Sequence, residues 1–194
     1  EVDELLIDGT YGNEDSVRKY TQDEVENQFL ELVSDHLTTK SIFIEGKRGT
    51  ITRAMHLVNS HFSEIPLIIS KKLNKEISAY NEHGYYFENY FTPLDKGYYD
   101  ILDSNRYIKF IGTGDLMPGG ITNNQIMIKL KALYGRNDAI TRTANSTYVV
   151  ALSDHADFQE TLDYIKQTGA RTVFVDPRRD TQKAILFAQE IKNR

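Results

Sequence analysis

The chain has 194 residues, a formal net charge of −5 and no cysteine. This length suffices for one domain with a substantial core or for two smaller lobes, and no stretch has the composition of a linker. The negative charge gives no general attraction to nucleic acid, although a local basic groove can coexist with an acidic whole. The lack of cysteine excludes disulfide frameworks and thiolate metal sites, and it fits a cytoplasmic protein.

Targeting signals and the first residue add two expectations. No apolar run is long enough to span a bilayer and no signal peptide opens the chain, so a soluble protein is expected. Because the first residue is Glu1 rather than Met, we expect that a segment has been removed upstream.

In chain order, the sequence begins with a predicted strand and a predicted helix. Residues 5–7 form an apolar strand that ends at Asp8, where glycines break the pattern. Apolar residues then recur at helical spacing over 25–37. Thr21 with Glu24 has the form of a capping box, which predicts where this helix begins.

The following segments continue the alternation of strands and helices. The patterns predict, in order, a strand at 41–45, a helix with Ile51, Met55, Val58 and Phe62 on one face, a strand at 66–70, a helix over 71–80, an irregular or briefly helical span over 80–100, and a strand at 107–112. The tyrosines of the irregular span could stack on bases, although packing beneath a long loop is their commoner use. A glycine-punctuated loop, GTGDLMPGG, follows the last of these strands.

The final part of the chain predicts the same alternation. The expected elements are a helix over 122–135 that stops at Gly135, a strand at 148–152, a helix over 157–168 closed by Gly169, a strand at 172–176, and an amphipathic helix with Ile185, Ala188 and Ile191 on its apolar face. Such alternation implies βαβ units and right-handed crossovers. The predicted fold class is therefore α/β, with a mostly parallel sheet covered by helices.

Polar groups collect where the predicted strands end. In open parallel sheets, ligands bind outside the carboxyl ends of the strands. The positions that fall there are Asp8, Glu45, Ser70, the loop 112–120, the cluster 153–157 and Asp176. The cluster SDHAD therefore lies on the edge of the sheet where function is expected.

Two residues of this cluster have different interpretations. Asp157 is well placed to cap the next helix together with Glu160, and we interpret it as a cap. His155 could donate a proton or bind a phosphate from this position. A solvated loop histidine explains the same pattern, so both interpretations stay open.

The segment GKRGTITR, residues 46–53, is a glycine-flanked basic loop that opens a helix. Lys47, Arg48 and Arg53 could meet a phosphate at the positive end of that helix, although a solvated basic loop explains them equally well. Together with Arg142, they are the predicted nucleic-acid-binding residues.

Four segments taken in order resemble motifs of the β-CASP branch of the metallo-β-lactamase superfamily: LLIDGTYG (5–12), SIFIEGKRGTITRAMHLV (41–58), FIGTGDLMPGG (110–120) and LSDHAD (152–157). That branch contains RNA 3′-end processing exonucleases and endonucleases. The first segment resembles the acidic motif, with Asp8 as its acidic residue, and the last resembles the second motif, with His155 as its histidine. The resemblance covers nearly the whole chain.

This resemblance implies metal-dependent hydrolysis of phosphodiester bonds in RNA, with two zinc ions. It implies that Asp8 orients His155, and that His155 contacts the scissile phosphate or acts as a general acid. Residues 1–12 and 146–194 would be segments of a metallo-β-lactamase-type domain, and residues 13–145 an inserted β-CASP-like domain.

The chain also departs from the family pattern. The metal-binding H-x-H-x-D-H motif is absent, and Asp176 stands where the third β-CASP motif has a histidine. Asp176 is retained as a candidate metal ligand. Without these ligands, the chain by itself is expected to be inactive and to bind zinc weakly.

Two functional hypotheses follow from these matches and departures. The first is part of an RNA-processing nuclease, with RNA or another single-stranded nucleic acid as its partner and no association with a membrane. The second is a non-catalytic nucleic-acid-binding or scaffold subunit that has lost the metal site. Homodimerisation is left open.

Overall fold

A computed structural model describes residues 2–116, 119–132 and 137–193 and shows an α/β protein with mostly parallel strands. The strands are β1 (Glu4–Asp8), β2 (Ser41–Glu45), β3 (Leu67–Ile68), β4 (Tyr90–Phe91), β5 (Ile108–Ile111), β6 (Gln125–Leu130), β7 (Ile140–Ala144), β8 (Thr147–Val150) and β9 (Thr172–Asp176). The helices are α1 (Gln22–Leu37), α2 (Thr50–His61), α3 (Lys71–Glu82), α4 (Tyr98–Ser104), α5 (Phe158–Thr168) and α6 (Thr181–Asn193). The predicted fold class is confirmed.

The chain forms two compact units. The terminal unit comprises Glu1–Lys19 and His155–Arg194, and the central unit comprises Tyr20–Asp154. The predicted division into residues 1–12 with 146–194 and residues 13–145 stays a prediction. The strand β8, which was expected among the terminal segments, pairs with β6 in the central unit. The family of each unit stays a prediction.

A seven-stranded sheet in the order β4-β3-β5-β2-β6-β8-β7 is the frame of the central unit. Every neighbouring pair is parallel except β7 with β8. Its middle strand, β2, is buried on both faces, with Ile42 and Ile44 in one apolar cluster and Phe43 in another. Burial on both faces explains why this strand is continuously apolar.

The helices of the central unit follow the sequence signals closely. In α1, Val25, Phe29 and Val33 are fully buried at four-residue spacing. Thr21 and Glu24 form the predicted capping box, in which each side chain accepts a hydrogen bond from the other residue's backbone amide. These three apolar side chains therefore form a stripe that faces the core, and the capping box fixes where the helix begins.

The helix predicted over 122–135 is wrong, because this part of the chain contains the strand β6. Ile126 and Ile128 pack into one apolar cluster, whereas Met127 packs into the other. A strand that is buried on both faces has no polar side, so its apolar run cannot be distinguished from a buried helix by periodicity alone. The predicted stop at Gly135 lies outside the described residues.

The strand β7 was not predicted. It forms an antiparallel hairpin with β8, with Ile140 opposite Val150, and it lies at one edge of the sheet. The run ITRTANSTYVV carried a usable signal, since threonines at alternate positions precede an Asn-Ser turn.

In the terminal unit, β1 and β9 form a two-stranded parallel sheet that pairs Leu6 with Phe174. One face carries Ile7 and Val175, which pack against a core that includes Phe158, Leu162 and Phe187. The other face leaves Leu6 69% and Phe174 50% exposed. Only one side of this sheet is thus covered within its own unit.

The buried face of α6 differs from the predicted one. Ala184 and Phe187 are buried, whereas Ile185 is 54% exposed. The reason is the turn after β1: a Cβ on Gly9 would lie 3.1 Å from the Cα of Ala184, and one on Gly12 would lie 2.6 Å from the Cβ of Phe187. The backbone of this turn packs directly on α6. Because its two glycines have no Cβ, the turn can lie close to the side of the helix that carries Ala184 and Phe187, and this side is therefore the buried one.

Within the described ranges, no helix combines the length and the apolar character needed to cross a membrane.

Candidate functional site

Asp8 and His155 are brought together in the terminal unit. Asp8 is the last residue of β1, and His155 lies in the segment that leads into α5. The Nδ1 atom of His155 lies 3.6 Å from the Oδ2 atom of Asp8, although 147 positions separate the two in the sequence (155 − 8). The predicted juxtaposition is confirmed, while the catalytic roles of the pair stay predictions.

The turn after β1 holds the Asp8 carboxylate in place. Its Oδ1 atom accepts hydrogen bonds from the backbone amide of Thr10 at 3.0 Å and from the Thr10 hydroxyl at 2.6 Å. These bonds leave Oδ2 directed toward His155. The segment Asp-Gly-Thr thus works as an Asx-turn that orients one carboxylate oxygen.

Tyr11 is a third member of the site. Its ring meets the His155 ring edge-on, with centroids 5.6 Å apart and an interplanar angle of 74°. Burial raises the pKa of the Tyr11 hydroxyl, and among the smaller effects the charges of Arg18 and Arg179 lower this pKa while the charge of Asp8 raises it. The imidazole is therefore placed by a carboxylate and by an aromatic edge.

A buried ion pair anchors the segment that carries His155. The side chain of Asp157 accepts a hydrogen bond from the amide of Glu160 at 2.9 Å, which completes the predicted capping box of α5. Asp157 also accepts one from the amide of Arg18 at 2.9 Å, and the Arg18 guanidinium contacts Glu160. The capping role of Asp157 is confirmed, and Arg18 is a partner that the sequence analysis missed.

A small cavity of about 140 Å³ lies beside this pair, lined among others by Asp8, Tyr11, His155, Thr161 and Tyr164. It is smaller than the roughly 300–1,000 Å³ of pockets that enclose drug-sized ligands. Its size suits a single small group such as a phosphate rather than a whole nucleotide.

Asp176 lies directly beside Asp8 in the register of the two strands. Its carboxylate is bound by Arg178, whose Nε atom donates to Oδ1 at 3.0 Å and to Oδ2 at 2.8 Å. These hydrogen bonds lower the pKa of Asp176 and raise that of Arg178. The role of Asp176 as a metal ligand stays a prediction, and it requires Arg178 to move away.

The donor set does not match a two-zinc centre. Within residues 2–116, 119–132 and 137–193, no three His, Asp or Glu side chains are grouped so that they could hold a metal ion. Asp8, His155 and Asp176 share one edge of a sheet, but Asp176 is occupied by Arg178. The roles argued below for Asp8 and His155 therefore involve no metal ion.

The four predicted nucleic-acid-binding residues all belong to the central unit, and two of them remain accessible near its loop 46–49. Lys47 is exposed. Arg48 has a side chain that is 77% exposed, and its Nε atom donates to Glu76 at 2.8 Å. This exposed pair could meet an anion.

The other two basic residues take part in internal contacts. Arg53 donates to Glu26 at 2.7 Å and to the carbonyl of Ser153 at 2.6 Å. Arg142 donates to the carbonyl of Asn145 at 2.6 Å and lies 5.9 Å from the ring centroid of Tyr148. Arg142 is on β7, three strands away from β2, which is about 14 Å at the usual strand spacing. The four residues therefore do not form one cluster.

Comparison with known proteins gives no matching family model and no matching curated protein. The likeness to β-CASP proteins thus rests on the motifs of the sequence.

Proposed function

We propose that this chain provides the proton-handling part of an RNA-processing nuclease of the metallo-β-lactamase/β-CASP type, which hydrolyses phosphodiester bonds. The observation that supports the proposal is the placement of His155 Nδ1 3.6 Å from Asp8 Oδ2, at the carboxyl end of a parallel strand pair. The same motifs that carry the resemblance thus supply a carboxylate and an imidazole with complementary roles. The proposal places the protein in the cytoplasm, with RNA as its substrate.

In this proposal, Asp8 orients the imidazole and His155 acts on the phosphate. Because the carboxylate faces Nδ1, the ring presents Nε2 as the atom that contacts the phosphate or gives a proton to the leaving oxygen. The adjacent cavity of about 140 Å³ has room for the phosphate group itself.

The test is an RNA cleavage assay on the chain alone and on the translation product of its complete reading frame, each with added zinc or manganese. We expect the chain alone to be inactive and the complete product to cleave single-stranded RNA. His155→Asn should lower that rate by roughly 10²–10⁴-fold, the usual contribution of a general acid.

The matched control is His56→Asn, which changes an exposed histidine of the central unit and should leave the rate unchanged. A complete product that does not cleave RNA, or a His155→Asn variant that cleaves as fast as the wild type, would contradict the proposal.

A second candidate function is binding of nucleic acid without cleavage, which the exposed Lys47 and Arg48 favour. Contacts to phosphates release counterions, so affinity should fall as salt rises, with a slope that shrinks when basic residues are neutralised. We expect dissociation constants in the non-specific range of roughly 10⁻⁴–10⁻⁶ M. Lys47→Ala/Arg48→Ala should weaken binding at both low and high salt if this loop is the binding surface. Equal binding by variant and wild type would mark the loop as a solvated surface.

A further inference from the structure

The turn Pro177–Asp180 lies at the same edge of the terminal unit as the Asp8–His155 pair. It begins directly after Asp176, the residue that the strand register places beside Asp8. It ends at the start of α6, where the Asp180 carboxylate accepts a hydrogen bond from the amide of Lys183 at 3.0 Å. The turn after β1 packs on this same helix through Gly9 and Gly12. The two turns are thus neighbours.

The two arginines of this turn are in different situations. Arg178 is bound to Asp176 through both carboxylate oxygens, so its charge is neutralised locally. Arg179 is exposed, and it makes no hydrogen bond or ion pair with any residue in the described part of the chain. Its charge nevertheless acts on Tyr11 and on Asp176, which places it within electrostatic range of the site.

This difference separates the two arginines by function. An arginine that neutralises a carboxylate of the protein cannot bind an anionic ligand at the same time. An arginine that is not engaged in such a pair keeps all the N–H donors of its planar guanidinium available. Two of these donors can bind two oxygens of one phosphate, and arginine is the residue that proteins commonly use for this contact. The pairing of Arg178 with Asp176 also removes a carboxylate that would otherwise compete for Arg179.

We propose that Arg179 is the phosphate-anchoring residue of the Asp8–His155 site and binds the phosphate group of an RNA substrate there. This inference rests on the proposed function for the choice of ligand. Its structural support is the placement of the turn and a guanidinium that has no hydrogen bond or ion pair among the described residues. Arg178 acts as a positioning residue, because its bond to Asp176 holds the turn beside the site.

The test is a fluorescence-anisotropy titration of a short labelled single-stranded RNA with this chain and with its Arg179→Met variant, at low and at high salt. We expect the variant to bind about tenfold more weakly at low salt, as for the loss of one hydrogen-bonded charge. The slope of log affinity against log salt should become shallower by roughly 0.7, the value for one phosphate contact on a single strand. Inorganic phosphate should compete with the RNA for the wild type and less well for the variant.

Arg171→Met is the matched control. Arg171 lies immediately before β9, at the opposite end of the strand, with a side chain that is 85% exposed and 3.6 Å from Asp3. Its loss removes the same charge from the same unit and should leave affinity within about twofold of the wild type. A melting temperature unchanged by Arg179→Met would confirm that the effect lies in binding and not in folding.

Equal affinities for Arg179→Met and Arg171→Met, with equal salt slopes, would overturn the assignment of Arg179. That result is distinct from a failure of the nuclease proposal, which is tested by the RNA cleavage rates of the wild type and of the His155→Asn variant. If cleavage depends on His155 while Arg179→Met binds RNA normally, only the anchoring role is wrong. If no cleavage occurs but Arg179→Met still weakens binding, the anchoring role stands and the nuclease proposal is wrong.

Discussion

The central and terminal units differ in how fully their sheets are covered. In the central unit, apolar clusters lie on both faces of the seven-stranded sheet, and strand residues such as Ile42 and Phe43 are almost fully buried. In the terminal unit, a core around Phe158 and Phe187 covers one face of the two-stranded sheet. The other face leaves Phe174 half exposed. A parallel sheet is normally buried on both faces, so the terminal unit is the unusual one.

The proposed chemistry lies on the unit with the smaller core. Asp8, His155 and Arg179 all lie in the terminal unit, whereas Arg53 of the central unit is committed to internal contacts. The geometry of the terminal site therefore depends on specific polar contacts, such as those of Arg18 with Asp157, more than on a large core. Three of the four predictions that follow test this contrast.

The largest effect is expected from the core of the central unit. Phe29 is fully buried on α1, so Phe29→Ala should lower the free energy of unfolding by about 3–5 kcal/mol through lost burial and the cavity left behind. Phe174→Ala removes a half-exposed ring and should cost less than about 1 kcal/mol. Urea denaturation of both variants measures the difference. Similar costs would show that the outer face of the terminal sheet is covered in solution.

The next effect concerns the polar anchor of the terminal unit. Arg18 has a side chain that is only 3% exposed, and its removal leaves the buried Asp157 without its cation. Arg18→Met should therefore cost about 3–5 kcal/mol, as for breaking one side of a buried pair. Arg171→Met breaks an exposed pair and should cost at most about 1 kcal/mol. Equal melting temperatures for the two variants would show that the anchor is dispensable.

A smaller effect is expected at the turn that carries Asp8. A Cβ on Gly12 would lie 2.6 Å from the Cβ of Phe187 and 2.9 Å from the carbonyl oxygen of Lys183, so Gly12→Ala should cost about 1–3 kcal/mol through overpacking. At Gly120 in the central unit, an added Cβ meets no atom of the described residues within 4 Å, and Gly120→Ala should change stability by less than about 0.5 kcal/mol. Thermal unfolding followed by circular dichroism would reveal whether the turn tolerates a side chain.

The smallest effect is a dependence of stability on alkaline pH. Burial raises the pKa of Tyr107 above its usual 10.0, so the folded state holds this proton more tightly than the unfolded state does. The resulting stability is fully present below pH 10.0 and is lost as pH rises through the raised pKa. Tyr107→Phe should flatten the decline of the urea midpoint with alkaline pH. Tyr86→Phe, at a position 74% exposed, should leave the profile unchanged, and a profile that is identical in both variants would refute the assignment.

Local signals made several elements predictable from the sequence. The two capping boxes, at Thr21 and at Asp157, each join residues that are three positions apart. The left-handed Gly169 directly follows the last residue of α5. The strand β6 could not be predicted in the same way, since its type is decided by the strands on either side of it. Propensity and periodicity do not contain that information.

The candidate site was predictable in part. The pairing of Asp8 with His155 followed from the strand ends and from the resemblance, and the structure places the two side chains together. Arg18 was missed because its partner, Asp157, is 139 residues away along the chain. The distinction between Arg178 and Arg179 was missed because it depends on which of two adjacent side chains meets Asp176. Such choices are made by tertiary geometry.

The central claim is that Asp8 and His155 act as one unit, and a double-variant cycle on RNA cleavage tests it most directly. The measurement compares kcat/KM for the translation product of the complete reading frame with those of Asp8→Asn, His155→Asn and the double variant. Residues that act together are strongly non-additive, so the double variant should be no slower than His155→Asn alone. Losses that multiply in the double variant would show that the two residues act independently and would contradict the account.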